Sequence, residues 1–199
     1  MAGAPRGPRA HDGTIIPDTV DVMCGIDLTT TLTGQGQVAV FVAVDHQCAE
    51  CVGIHAARRA TRFEALEPLR QGVRPHFGAF ARDIARGLTL RHEHGSTVMA
   101  EHVQQQARFW GISPSYAFVA APETHGVIER FFRTMKEQAI HGRIFQTIDE
   151  VRDAARYNAL WPIGKNGTLS PSDARGAWLD TTFRRAASCN RLPRKPGAV

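Results

Sequence analysis

Three carboxylates, Asp27, Glu93 and Glu129, carry the strongest chemical suggestion in this 199-residue sequence. Magnesium takes oxygen ligands in strict geometry, so carboxylates that converge from separate elements are its natural protein partners. The chemistry open to such a cluster is cleavage and joining of phosphodiesters. There, two divalent ions about 3.5–4 Å apart activate the attacking oxygen and stabilise the leaving one. Other donor patterns are weaker. Cys48 and Cys51 have the C-x-x-C spacing of a zinc or redox pair, but no second pair answers them, and Cys24 and Cys189 stand alone. They read as thiols at a strand end. His92 and His94 flank Glu93, yet no His-Glu-x-x-His helix can be written through them, which disfavours a zinc hydrolase.

The elements that must position these groups follow from periodicity. Residues 1–19 are rich in Gly, Pro and Arg without apolar period and read as a flexible lead. Val20, Val22 and Cys24 alternate into Gly25-Ile26-Asp27-Leu28, a first strand expected to end in Thr29-Thr30-Thr31, with Asp27 near its carboxyl end. Val38 to Val44 is an unbroken apolar run, the mark of a central strand covered on both faces. Cys51 to His55 returns as a third strand, completing an antiparallel meander, and Asp45 falls in the intervening hairpin as a structural carboxylate.

From Thr61, a candidate cap, the pattern turns helical through Val73, and a second helical stretch is expected at Phe77 to Ala85. Leu88, Leu90 and His92 alternate as a fourth strand, which puts Glu93 just past its end. Met99, Val103, Ala107 and Trp110 predict an amphipathic helix stopped by Gly111, and Ser113 to Val119 a short fifth strand. On a helix over His125–His141, Glu129, Arg133 and Lys136 share a narrow wedge opposite Ile128, Phe131, Phe132, Met135 and Ala139. A further helix is expected from Ile148 to Leu160. If the first and fourth strands are neighbours, the three carboxylates meet at one sheet edge.

Composition sets the frame. With 43% hydrophobic residues the chain supports one α/β core, expected over residues 20–174, followed by a basic, mobile tail at 175–199. A formal charge of +5 and a pI near 9.4 favour an anionic partner such as nucleic acid. No run approaches a membrane span, and the first residues lack a secretory apolar region, so a soluble intracellular protein is expected.

Four motifs give the sequence a family resemblance. They are Gly25-Ile26-Asp27-Leu28-Thr29, Val42-Ala43-Val44-Asp45-His46, His92-Glu93-His94-Gly95-Ser96, and Pro122-Glu123-Thr124-His125-Gly126-Val127-Ile128-Glu129-Arg130-Phe131. Together they resemble insertion-sequence transposases of the retroviral-integrase superfamily, named for an Asp, Asp, Glu triad. The 35 residues between Glu93 and Glu129 match that superfamily's spacing. Tyr157-Asn158 and Ser170-Pro171 resemble its closing helix and tail.

The resemblance implies a ribonuclease H-like α/β fold, a five-stranded mixed sheet with helices on both faces. It implies Asp27, Glu93 and Glu129 as catalytic residues holding two Mg2+ or Mn2+ ions. It also implies DNA strand cleavage and transfer at transposon ends and target, by a homo-oligomer assembled on DNA in a bacterial-type cytoplasm, at the nucleoid. Arg130, Arg133 and Lys136 then stand beside the metals as phosphate contacts. His92, His94 and His125 lie near the same motifs without an assigned role.

Three departures qualify this. The family has aspartate at the position of Glu93, and the longer side chain pushes its oxygens outward by about 1.5 Å. A misplacement near 1 Å costs on the order of a hundredfold in rate, so weakened activity is expected. Cys24 replaces an expected tryptophan. The family's N-terminal helix-turn-helix region has no counterpart here, which leaves an upstream frame to supply it. The alternative reading is an inactive DNA-binding remnant or regulator of a transposable element.

Overall fold

A computed structural model of the chain describes residues 17–92, 96–116, 126–137, 145–154 and 166–189. Five strands form one mixed sheet: β1 (Met23–Thr33), β2 (Gly36–Asp45), β3 (Cys51–Ala57), β4 (Thr89–His92) and β5 (Ser113–Tyr116). Their spatial order is β3-β2-β1-β4-β5. β1, β2 and β3 are the expected antiparallel meander, while β4 joins β1 and β5 joins β4 in parallel. The first and fourth strands are therefore neighbours.

Helices cover both faces because the strands alternate between two apolar cores. On one face Cys24, Ile26, Phe41 and Leu90 pack against α1 (Glu67–Phe77) and α3 (Glu101–Phe109). On the other, Val38, Val40, Val42 and Val44 pack against α4 (Gly126–Met135) and α5 (Ile148–Ala154). A short α2 (Ser96–Met99) precedes α3, and α6 (Pro171–Cys189) closes the described chain. Gly53 is where α1 comes closest, since a Cβ there would stand 2.0 Å from the Pro68 carbonyl oxygen. Thr61 caps as expected, its hydroxyl accepting the Glu64 N–H at 3.4 Å, at a 3-10 turn (Glu64–Leu66) that leads into α1.

The structure corrects several boundaries. β1 does not end at Thr29-Thr30-Thr31. These threonines pair with Val40, Ala39 and Val38, and their β-branched side chains suit the strand, so Asp27 lies in mid-strand. No second helix forms over Phe77–Ala85. Gly78, at φ 88, terminates α1, and residues 82–87 are turns with Asp83 at φ 58. The helix expected around Met99–Trp110 is split by Ala100, whose ψ of 132 is extended. The segment from residue 175 is helical through Cys189, with Arg175 buried. No helix among the described residues is long and apolar enough to cross a membrane.

Candidate functional site

Directly paired strand residues point to the same face of a sheet. Asp27 pairs with Val42, and Val42 belongs to the core beneath α4, so the half-buried Asp27 faces the α4 side. Its Oδ1 accepts the Leu28 N–H at 2.7 Å. Gly25, two residues earlier on the same face, lies beneath the helix and against His46. A Cβ there would lie 3.7 Å from Ile128 Cβ and only 2.7 Å from His46 Nε2. Because α4 buries Val127, Ile128, Phe131, Phe132 and Met135, the neighbouring Glu129 is turned outward and exposed in its first turn. The strand bearing Asp27 and the helix bearing Glu129 are thus in direct contact.

The cations implied by the resemblance follow on the same helix and its extension. Arg130 and Arg133 are exposed and Lys136 is half-buried. Glu93, His94 and His125 lie outside the described residues. His92 does not face Asp27. It is fully buried on the α1–α3 side, where its Nε2 lies 3.3 Å from Gln104 Nε2. Among the described residues, no three His, Cys, Asp or Glu side chains are grouped so as to hold a metal ion.

Sequence reasoning missed Arg91. It pairs with Gly25, which puts it on Asp27's side of the sheet, and it is only 4% exposed. One guanidinium nitrogen donates to Ser115 Oγ at 3.2 Å, while Nε and Nη2 have no hydrogen-bond partner among the described residues. Burial pulls its pKa below the usual arginine value. The signal was a charge inside the Leu88-x-Leu90-x-His92 alternation.

A second polar cluster stands at the other end of β1. The Asp45 carboxylate accepts the N–H groups of Asp21, Gln47 and Cys48 at 3.0, 2.8 and 3.1 Å, in the structural role expected of it. Arg175 of α6 donates to both Asp21 carboxylate oxygens at 2.6 and 2.5 Å and lies 3.2 Å from Glu50. Burial works against the charged Arg175, but the Asp21 bonds and the charges of Asp21, Glu50 and Asp45 hold its pKa above the usual value. Burial likewise outweighs Arg175 at Glu50 and raises that carboxyl. Cys48 and Cys51 are buried thiols pushed up to about 12, chiefly by burial, which leaves them protonated and poor nucleophiles.

No protein-family model matches the sequence, and no curated protein does so. Solved structures do. A chain of the simian T-cell lymphotropic virus intasome, in complex with a PP2A B56 gamma regulatory subunit, aligns at TM-score 0.64 and 13% identity. The alignment covers 97% of this chain and 63% of that one, so this chain spans less than two thirds of its length. The catalytic core domain of BIV integrase aligns at TM-score 0.55 and 17% identity over 83% of this chain and 99% of the core. The HTLV-2 integrase core in complex with magnesium, in a trimeric form, aligns at TM-score 0.55 and 14% identity, covering 81% and 99%. With its five-stranded mixed sheet and helical layers, the chain has the ribonuclease H-like fold of the retroviral integrase catalytic core.

Proposed function

We propose that this chain is the catalytic core of a DNA transposase or integrase, a polynucleotidyl transferase that cleaves a strand and transfers its end. One observation carries the reading: the strand of Asp27 and the helix of Glu129 pack against each other on one side of an integrase-type sheet. The described β1–β4 pairing runs as far as Gly25 with Arg91, two residues before Glu93 in the sequence. Glu93 is the third carboxylate of the proposed site.

An all-carboxylate donor set fits magnesium or manganese, and an HTLV-2 core of the same fold is described with magnesium. Two bound ions would supply activation of the attacking oxygen and neutralisation of the leaving one. The chain's own part is positional. Asp27, Glu93 and Glu129 hold the ions, while Arg130, Arg133 and Lys136 hold DNA phosphates along α4 and its extension. Arg91 keeps a buried positive charge on the same face as Asp27 and acts as a positioning residue for the carboxylates. DNA ends and target are the substrates, which gives the protein a nucleoid-associated place in the cytoplasm. Assembly on DNA is oligomeric, in line with the intasome and with the dimeric and trimeric HTLV-2 cores, and a helix-turn-helix partner reads the element's ends.

The test is strand transfer from a pre-cut oligonucleotide in magnesium or manganese, comparing the chain with Glu93→Asp. A gain in the variant is expected. Absence of transfer in both, together with no divalent binding, would leave the DNA-binding remnant as the surviving reading.

A further inference from the structure

The layer opposite Asp27 carries an exposed aromatic surface that the proposed chemistry does not use. Phe63, Phe80 and Phe109 are 57%, 43% and 41% exposed, although large apolar side chains are normally covered. With Trp110 and His102 they line a groove of about 390 Å³ between α1 and α3, large enough for a flat organic group. Each exposed ring has a guanidinium over it: Arg62 at 4.9 Å from the Phe63 centroid, Arg70 at 5.5 Å from Phe80, and Arg82 at 5.4 Å from Phe109. His102 meets Phe63 edge-on at 5.1 Å, which keeps that ring upright at the rim.

The charge here is one-sided. Between Arg58 and Arg86 the sequence has seven arginines and three carboxylates. All three carboxylates are already engaged: Glu64 with His55, Glu67 with Arg70, and Asp83 with Arg86. Among the described residues, Arg62 and Arg82 form no ion pair. Alternating rings and uncompensated guanidinium groups are the composition of a surface that stacks bases and holds phosphates. A second copy of the chain docked face to face would set these arginines against their own kind. The charge therefore selects a polyanion.

We infer that the α1–α3 face is a second nucleic-acid-binding surface. It takes a single-stranded or unpaired segment, with bases stacked on Phe63 and Phe109 and phosphates held by Arg62 and Arg82. It lies across the sheet from Asp27 and Glu129, so the segment it holds is distinct from the strand at the carboxylates.

The test measures binding of a labelled oligothymidine strand by fluorescence anisotropy, in chelator, over a potassium chloride series. The full chain is compared with the variants Arg62→Glu/Arg82→Glu and Phe63→Ala/Phe109→Ala. Charge reversal should weaken binding at least tenfold and reduce the salt slope by about 1.4, the value for two single-strand phosphate contacts. Ring removal should weaken binding by about tenfold per ring with the slope unchanged. If charge reversal acts but ring removal does not, the surface is a general counterion face and the stacking inference is overturned. It is equally overturned if sedimentation shows the variants turning an oligomer into a monomer while oligothymidine affinity stays the same.

Discussion

Gly25 of β1 lies directly beneath Ile128 of α4, where a Cβ at residue 25 would stand 3.7 Å, an ordinary contact, from that of Ile128. Gly25→Ala would place a Cβ 2.7 Å from Nε2 of the fully buried His46. Overpacking of this kind costs about 1–3 kcal/mol. Chemical denaturation of Gly25→Ala should show a loss in that range. Unchanged stability would mean that His46 is not held against Gly25 as described.

Arg91 predicts a split between stability and activity. A buried guanidinium without full partners among the described residues is expensive, and replacing such a group by an apolar one of similar size is often neutral or stabilising. Arg91→Met should therefore unfold at the same denaturant concentration or a higher one, while strand transfer falls by about tenfold or more. A variant that loses stability and activity together would make Arg91 a structural residue only.

Arg175 works the other way, because its partners stay behind when it is removed. Asp21 and Glu50 would be left near each other, partly buried and without the cation. Breaking a buried pair from one side costs about 3–5 kcal/mol. Arg175→Met should lose stability on that scale, and limited proteolysis should open α6 first. Resistance of α6 to protease in the variant would contradict its docking through this pair.

His76, near the end of α1, gives a pH signature. Burial lowers its pKa from the ordinary 6.5, the Arg175 charge lowers it further, and Asp21 and Asp45 partly offset both. The unfolded chain then binds this proton more readily than the folded one, so its contribution is present above about 6.5 and is lost as pH falls toward the lower folded value. Glu50, raised in the fold, has the opposite sign: its contribution is lost as pH rises from the ordinary carboxylate range toward its raised value. Urea midpoints across mildly acid pH should fall more steeply for the parent than for His76→Gln. Parallel curves would remove His76 from the account.

The sheet was legible in the sequence because its strands announce themselves by apolar alternation and by the buried run from Val38 to Val44. Asp27, Glu93 and Glu129 could be proposed from type and spacing alone. The extension of β1 past Asp27 was not, since three consecutive threonines read as a polar end until the partner strand opposite them is known. Arg91 was hidden because its meaning depends on the side of the sheet it faces, which only register decides. The Arg175–Asp21 bond joins residues 154 positions apart and leaves no local pattern.

The central claim is that Asp27 and Glu129 belong to one divalent site. Manganese binding followed by electron paramagnetic resonance, on the parent, Asp27→Asn, Glu129→Gln and the double variant, tests it directly. Residues sharing a ligand are non-additive. The account predicts that each single substitution loses most of the bound manganese and that the double variant loses little more. Independent, additive losses, or binding unchanged in either single variant, would contradict it.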